Sequence, residues 1–140
     1  MVDISLLLVD DEIEFVETLS KRLIKRGFKT TFVTNGKDAL EKIRTEQYDV
    51  AIVDVRMPDM DGITLLGEIK KIKPLVEVLL LTGYASVQSG IEGMKKGAFD
   101  YIMKPADIDE LVKKIRDAYE RKKQQEDRIN KAETRIPPYK

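Results

Sequence analysis

Short apolar runs are the clearest pattern along the chain, and they predict its strands. Residues Ile4–Val9, Val50–Val53 and Val76–Leu81 are bounded by acidic or turn-forming residues, which is typical of strands buried on both faces. Two weaker runs, Lys29–Val33 and Phe99–Met103, mix polar with apolar residues and predict edge strands. We therefore expect five strands, three of them central.

Apolar residues at helical spacing between and after these runs predict five helices. Gly27 and Pro74 follow the first and third of these stretches, where they would end a helix. Asp107, with Glu110 three residues later, has the spacing of a capping box and would begin the fifth helix. The apolar positions are Ile13, Val16, Leu19 and Leu23; Ala39, Leu40 and Ile43; Leu65, Leu66, Ile69 and Ile72; Val87, Ile91 and Met94; and Ile108, Leu111, Val112, Ile115 and Tyr119.

A strand followed by a helix, repeated five times, predicts an α/β fold with a parallel, doubly wound sheet. Five strands suit the flavodoxin-like (βα)5 arrangement with strand order 2-1-3-4-5. That order places strands 2 and 5 at the edges, and these are the two least apolar runs. The apolar content of the runs therefore supports the order.

The character of the chain changes near Glu120. Residues Arg121–Arg128 are nearly all charged or amide, and Ile136-Pro137-Pro138-Tyr139 cannot continue a helix. We divide the chain into a domain, residues 1–119, and a charged helical extension or linker, residues 120–140. Residues Arg121–Arg128 could extend the fifth helix as a solvated helix or could fray, and we favour a solvated tail.

Composition narrows the possible functions. The chain has 140 residues, which favours one domain, and its 25 basic and 25 acidic residues argue against direct nucleic-acid binding. Neither Cys nor His is present, which excludes disulfides, Ser-His-Asp catalysis and zinc sites built from these residues. No run approaches the roughly 18 apolar residues of a membrane span, so we expect a cytoplasmic protein.

Acidic residues follow two strands of the predicted sheet. Asp10 and Asp11 follow strand 1 and Asp54 follows strand 3, on either side of the point where strand order reverses and ligands bind. Like charges about 4 Å apart repel by roughly 4 kcal/mol at an effective dielectric near 20, which favours protonation or a bound cation such as Mg²⁺. Alternatively, Asp11 caps helix 1, since Glu14 lies three residues later.

Two further polar residues follow strands 4 and 5. Taken alone, Thr82 is an ordinary β-branched strand residue, and Lys104, before Pro105, is an ordinary surface lysine. A hydroxyl and a lysine are also groups that bind phosphate oxygens. Their position at the same sheet edge as the acids predicts a site for a phosphoryl group and a cation.

Four short motifs around these residues together resemble the receiver domain of two-component response regulators. The resemblance extends from about Ser5 to Tyr119. The motifs are Leu8-Val9-Asp10-Asp11-Glu12, Asp54-Val55-Arg56-Met57-Pro58 with Asp61-Gly62, Leu81-Thr82-Gly83-Tyr84-Ala85, and Lys104-Pro105.

The resemblance implies a chemical role for each of these positions. Asp54 would be the phosphoacceptor, and Mg²⁺ would be held by Asp10, Asp11, Asp54 and the backbone carbonyl of Arg56. Thr82 and Lys104 would contact the phosphoryl oxygens. The remaining implied features are a cis Lys104–Pro105 bond, a conformational switch at Thr82 and Tyr101, and tuning of dephosphorylation by Arg56 and Tyr84, whose bulk predicts slow hydrolysis.

The resemblance also implies partners. Because the chain has no His, the phosphoryl group would come from a sensor histidine kinase, a phosphotransfer protein or a small phosphodonor. The output would be a downstream protein or domain that recognises helix 4, strand 5 and helix 5, with the receiver a monomer or a phosphorylation-dependent homodimer. Self-catalysed phosphotransfer and autodephosphorylation do not make such a chain a classical enzyme.

Helix 4 is the predicted mobile element. Gly90 and Gly93 each lower helix stability by about 1 kcal/mol relative to Ala. We expect that replacing both with Ala stabilises the fold and weakens the switch, unless the glycines are needed for close packing.

Three other classes of protein fit the sequence less well than a phosphorylated receiver. A degenerate receiver that only binds partners would not need all of the site chemistry. An aspartate-nucleophile phosphohydrolase normally has an acid two residues after its nucleophile, where this chain has Arg56. A flavin or nucleotide binder would have a phosphate cradle after strand 1, where Asp10-Asp11-Glu12 would repel phosphate.

Overall fold

The computed structural model describes residues 3–83 and 86–135. Strands and helices alternate along the whole of this range, as the apolar pattern predicts. In chain order they are β1 (Ser5–Val9), α1 (Ile13–Lys25), β2 (Lys29–Val33), α2 (Gly36–Thr45), β3 (Val50–Val53), α3 (Gly62–Ile72), β4 (Glu77–Thr82), α4 (Val87–Lys95), β5 (Asp100–Met103) and α5 (Ile108–Arg135).

The five strands form one parallel sheet in the order β2-β1-β3-β4-β5, which confirms the predicted fold. Successive residues of β1 face opposite sides: Leu6 and Leu8 join the core beneath α1 and α5, whereas Leu7 and Val9 join the core beneath α2 and α3. Both cores need apolar residues, so a central strand is apolar at every position. The edge strands β2 and β5 are only partly buried.

Helix α5 is longer than the apolar pattern predicts. It runs for 28 residues, through the charged stretch, to Arg135. The side chain of Lys122 is only 12% exposed, and its Nζ lies 3.1 Å from Asp49 Oδ1. The interpretation of this stretch as a solvated tail is therefore wrong at Lys122, because an acid distant in sequence holds this residue against the sheet. Its neighbours Arg121 and Lys123 are exposed. Within the described residues, no helix has the length and apolar character needed to cross a membrane.

The two glycines of α4 differ in their surroundings. A Cβ on Gly93 would lie 2.5 Å from Cδ1 of Leu80, which is fully buried, whereas a Cβ on Gly90 would lie 3.9 Å from the Tyr101 ring. The expectation that both can become Ala with a gain in stability is wrong at Gly93, because α4 packs too closely on β4 there.

Candidate functional site

Two buried aspartates mark the carboxyl ends of β1 and β3. Asp10 is 4% exposed and Asp54 is 6% exposed. The backbone N–H of Asp54 donates to Val9 O at 2.9 Å, and that of Asp10 donates to Val33 O at 3.3 Å. The sheet hydrogen bonding therefore continues one residue past each strand and fixes both acids beside each other.

A third carboxylate joins them. Oxygens of Asp10, Glu12 and Asp54 all lie within 4.8 Å of one another. Asp11, which the motif resemblance assigns to the metal, is exposed and is not a member of this cluster. Sequence reasoning missed Glu12 because its longer side chain returns toward the sheet edge, although it lies in the first quoted motif.

The alternative interpretation of Asp11 as the cap of α1 is wrong. The N-cap position belongs to Glu12, whose side chain makes no capping hydrogen bond. Instead, the Glu12 N–H donates to Asp10 Oδ1 at 2.9 Å, which orients the Asp10 carboxylate. Asp10 and Glu12 are therefore arranged around the cluster rather than around the helix terminus.

Lys104 is the counter-charge of the cluster. Its Nζ donates to Asp10 Oδ2 at 2.7 Å and to Glu12 Oε1 at 2.8 Å, and it lies 3.6 Å from Asp54 Oδ2. The ammonium also lies 4.1 Å from the centre of the Phe15 ring. With its side chain 11% exposed, Lys104 is held among the acids that surround it.

Burial and the neighbouring charges shift the pKa values of Asp10 and Lys104. Burial raises the pKa of Asp10 above its ordinary value, and the nearby Asp54 adds to this, while Lys104 and the Glu12 N–H oppose it. Burial lowers the pKa of Lys104, but hydrogen bonds to Asp10 and Glu12 outweigh that effect and raise it. Lys104 is therefore charged at neutral pH, and three acids face one cation.

Asp54 has a free oxygen in this setting. Within residues 3–83 and 86–135, Asp54 Oδ1 is the one buried side-chain oxygen with no hydrogen-bond partner. A buried anionic oxygen without a donor is costly unless a cation or a covalent bond satisfies it. Mg²⁺ takes oxygen ligands and is commonly held by one or two carboxylates plus phosphate, so this donor set fits it.

Gly62 brings the loop after β3 close to the acceptor. A Cβ at this position would lie 2.0 Å from the Asp54 carbonyl oxygen, so only glycine fits. The Gly62 N–H donates to Val55 O at 2.7 Å, and Asp61 caps α3 by accepting from the Thr64 N–H at 2.8 Å. The Asp61-Gly62 pair therefore starts α3 and closes the β3–α3 loop around Asp54.

The structure also places the predicted switch and cis-peptide residues. Thr82 is the last residue of β4 and is fully buried, and its carbonyl accepts from the Lys104 N–H at 2.9 Å. The Lys104–Pro105 peptide bond is cis. Tyr101 on β5 is partly buried, and its hydroxyl lies 2.9 Å from Ser89 Oγ on α4, with which it shares a hydrogen bond.

Of the two residues predicted to tune dephosphorylation, Arg56 is among the described residues and Tyr84 is not. Arg56 is exposed in the loop just after Asp54.

A family model for the response regulator receiver domain matches residues 6–116. The chain belongs to this family. The match confirms the resemblance drawn from the four motifs, and the cluster at Asp10 and Asp54 accords with the phosphoacceptor site of a receiver in a two-component system.

Known proteins similar to this receiver include regulators and separately solved receiver domains. The transcriptional regulatory protein ZraR of Escherichia coli (strain K12) is 41% identical over 109 residues, which cover 78% of this chain and 25% of ZraR. The receiver thus spans about a quarter of the length of the curated relatives it matches.

Two solved structures extend the comparison to the fold. A CheY-like receiver domain protein from Methanospirillum hungatei JF-1 is 28% identical with a TM-score of 0.85, covering 89% of this chain and 99% of that one. A response regulator protein from Burkholderia pseudomallei, which contains a phosphorylated aspartic acid, a calcium ion and citrate, is 27% identical with a TM-score of 0.78. That match covers 89% of this receiver and 73% of the other chain.

Proposed function

We propose that this receiver accepts a phosphoryl group on Asp54 from the phosphohistidine of a partner protein, either a sensor histidine kinase or a phosphotransfer protein. The observation that carries the proposal is the buried Asp54 Oδ1, which has no hydrogen-bond partner and lies in a cluster of acids. The phosphorylated aspartic acid of the Burkholderia pseudomallei relative supports the same assignment.

The transfer is a nucleophilic substitution at phosphorus. A carboxylate oxygen of Asp54 attacks, an O–P bond forms, and the N–P bond to the donor imidazole breaks with its electron pair staying on nitrogen. Lys104, 3.6 Å from Asp54 Oδ2, supplies positive charge beside the incoming oxygens. Hydrolysis by water later returns the Asp54 carboxylate.

We assign Mg²⁺ to Asp10, Asp11, Asp54 and the backbone carbonyl of Arg56, with Glu12 as an additional candidate. When bound, Mg²⁺ supplies charge that lowers the repulsion between the carboxylates and the phosphoryl oxygens. The clustered carboxylates of Asp10, Glu12 and Asp54, and the Asp54 oxygen without a donor, support the part of this assignment that involves these residues.

The proposed output is a shift between two conformations. Thr82 would turn its hydroxyl to the phosphoryl group, and Tyr101 would leave Ser89 and pack inward. Such a shift changes the face formed by α4, β5 and α5, where Val87, Ile91 and Met103 expose apolar surface to a downstream protein, an output domain or a second receiver. We propose slow autodephosphorylation because Arg56, and Tyr84 by its position in the motif, are bulky. A phosphorylated lifetime of seconds would contradict that part.

We propose residues 1–119 as the receiver unit and residues 120–140 as a charged extension that includes the C-terminal part of α5. We also propose that the unit works in the cytoplasm. Both assignments follow from the sequence pattern rather than from the site.

Phosphorylation by acetyl phosphate, followed by intact mass, tests the proposed function. We expect the wild type to gain one phosphoryl group in the presence of Mg²⁺, whereas Asp54→Asn and wild type with a chelator should gain none. Asp117→Asn is the matched control, since it removes an exposed acid on α5. No gain in wild type with acetyl phosphate or with beryllofluoride would overturn the proposal in favour of a receiver that only binds partners.

A further inference from the structure

Glu77 is a buried charge with no part in the proposed chemistry. It is the first residue of β4, and its side chain is 7% exposed. Replacing a buried ion pair with apolar residues of similar volume is often neutral or stabilising. A carboxylate at the start of a central strand therefore calls for a role other than stability.

A second acid, Asp49, lies next to Glu77 at the amino ends of the strands, opposite the phosphorylation site. The Glu77 N–H donates to the carbonyl of Asp49, the residue just before β3, at 3.2 Å. The Asp49 Oδ2 accepts from the Ser5 N–H at 2.8 Å. Asp49, just before β3, and Glu77, the first residue of β4, are thus neighbouring acids, and both need counter-charges.

Consecutive cations of α5 provide those counter-charges. Arg121 Nε lies 3.3 Å from Glu77 Oε2, and Lys122 Nζ lies 3.1 Å from Asp49 Oδ1. The Arg121 guanidinium also lies 5.8 Å from the centre of the Phe99 ring, beside β5. We call the Arg121–Glu77 and Lys122–Asp49 contacts the basal ion pairs.

Glu77 also has a counter-charge outside α5. Lys70 Nζ donates to Glu77 Oε1 at 3.4 Å and, by shorter hydrogen bonds, to the Val76 and Pro74 carbonyls at 2.7 and 3.2 Å. The ion pair of Asp49 is with Lys122 on α5. Burial lowers the pKa of Lys122, yet hydrogen bonds with Glu126 and Asp49 outweigh this and raise it, so Lys122 stays charged.

Beyond the basal ion pairs, the described part of the helix turns toward solvent. Its side chains from residue 127 to residue 133 are exposed. Isolated helices shorter than about 12–15 residues are marginal in water, so helix in this stretch must propagate from a docked segment. The basal ion pairs lie where α5 leaves the sheet and are positioned to prevent fraying there.

We propose that the basal ion pairs hold residues 120–135 as a rigid helical arm whose direction is set by β3 and β4. The regulatory part of this inference is a coupling in which phosphorylation at Asp54 changes, through β3 and β4, how firmly the arm is held. This part rests on the proposed function. β3 begins after Asp49 and ends before Asp54, and β4 begins at Glu77 and ends at Thr82. Each acid of the basal ion pairs is thus joined by one short strand to a residue of the phosphorylation site.

Amide hydrogen exchange of the whole chain tests the arm. One variant combines Arg121→Gln with Lys122→Gln, and a second, Glu77→Gln, alters no residue of the arm. The matched control is Lys113→Gln, which removes a cation of α5 that lies before the arm and whose ion-pair partner, Asp117, is on the same helix. All three substitutions on α5 replace a cation with a neutral side chain of similar helix propensity.

We expect exchange at residues 123–133 to become about tenfold faster in both test variants, as for a helix end that has lost its charged hydrogen bonds. Exchange in β1 and in the control should stay unchanged. An equal effect in the control, or no effect in the test variants, would overturn the proposal. If Glu77→Gln unfolds the core, the Arg121 and Lys122 variant decides the result.

The regulatory part is tested with Mg²⁺ and beryllofluoride, with uptake measured by native mass. Wild type should take up the mimic and change its exchange at residues 123–133, and Asp54→Asn should do neither. Uptake without a change in exchange would overturn the coupling alone. Failure of uptake would overturn the proposed function and, with it, the coupling, while the untreated samples still decide whether the arm is held.

Discussion

At the scale of single residues, the site combines an excess of negative charge with burial. Asp10, Glu12 and Asp54 share one lysine, and Asp54 Oδ1 has no hydrogen-bond partner. Such an arrangement attracts a cation and an electrophilic phosphoryl group. The same arrangement destabilises the folded protein while neither is present.

Removing one of these acids should therefore stabilise the fold. We expect Asp10→Asn to unfold at higher urea concentration than wild type in the absence of divalent cations. The substitution removes a charge that burial and Asp54 disfavour, while Lys104 keeps Glu12 as a partner. Circular dichroism measures the transition, with Asp117→Asn as the control for the loss of one acid. A midpoint equal to or below that of wild type would contradict the prediction.

The residues of the site show where prediction from sequence stops. Asp10, Asp54, Thr82 and Lys104 could be placed at one sheet edge because each follows a strand, and the topology orders strand ends. Glu12 could not, because its place in the cluster depends on how a side chain turns back after α1 begins. Glu77 was likewise overlooked as part of an apolar run, since its partners lie far along the chain.

At the scale of elements, α4 and α5 are held on the sheet by different kinds of contact. Helix α4 packs closely enough on β4 that Gly93 has no room for a Cβ. Helix α5 docks by an apolar stripe up to Ala118 and then by ion pairs. Helical spacing predicts the first kind of docking, whereas ion pairs with residues distant in sequence leave no periodic signal.

The glycines of α4 should respond oppositely to the same substitution. Gly93→Ala should lower the free energy of unfolding by about 1–3 kcal/mol, because Leu80 must shift within the core. Gly90→Ala should raise it by up to about 1 kcal/mol, since its Cβ meets Tyr101 at an ordinary distance. Urea denaturation of the two variants side by side measures both effects. Equal effects of the two substitutions would show that packing on β4 does not distinguish these positions.

The arm should lose helix in acid. A hydrogen bond from Lys122, followed by the charges of Lys122 and Lys123, lowers the pKa of Glu126 below 4.5. Its stabilising effect is therefore complete above pH 4.5 and is lost as the pH falls through the lower, folded value. Lys122 also faces Asp49. Lower protection factors at residues 123–133 on acidification, after correction for the pH dependence of intrinsic amide exchange, are the expected result. The loss should be smaller in Glu126→Gln, and an identical pH response in that variant would refute the prediction.

At the scale of the whole molecule, the fold places the acidic cluster at the carboxyl ends of the strands and the basal ion pairs at their amino ends. In the order β2-β1-β3-β4-β5, β3 and β4 are interior strands, and each runs from one of these ends to the other. The five βα repeats suggested this order, and the apolar pattern supported it, because only interior strands need apolar residues on both faces.

Magnesium should stabilise the whole domain through the cluster. A ligand at about 100 times its dissociation constant adds roughly 2.7 kcal/mol to the free energy of unfolding when it binds only the folded state. We expect the melting temperature of wild type to rise as Mg²⁺ is titrated, with a smaller rise for Asp54→Asn and an unchanged rise for Asp117→Asn. Differential scanning calorimetry measures the shift, and equal rises in all three proteins would place the cation elsewhere.

The length of α5 has a mechanical consequence. Residues 120–135 extend about 24 Å at the usual rise per residue, so a tilt of about 10° at their base would displace the far end by about 4 Å. A displacement of this size exceeds the radius of most atoms, although the movement at the base would be a fraction of a hydrogen-bond length. A small tilt of the sheet-bound base of α5 would thus produce a larger displacement of its far end.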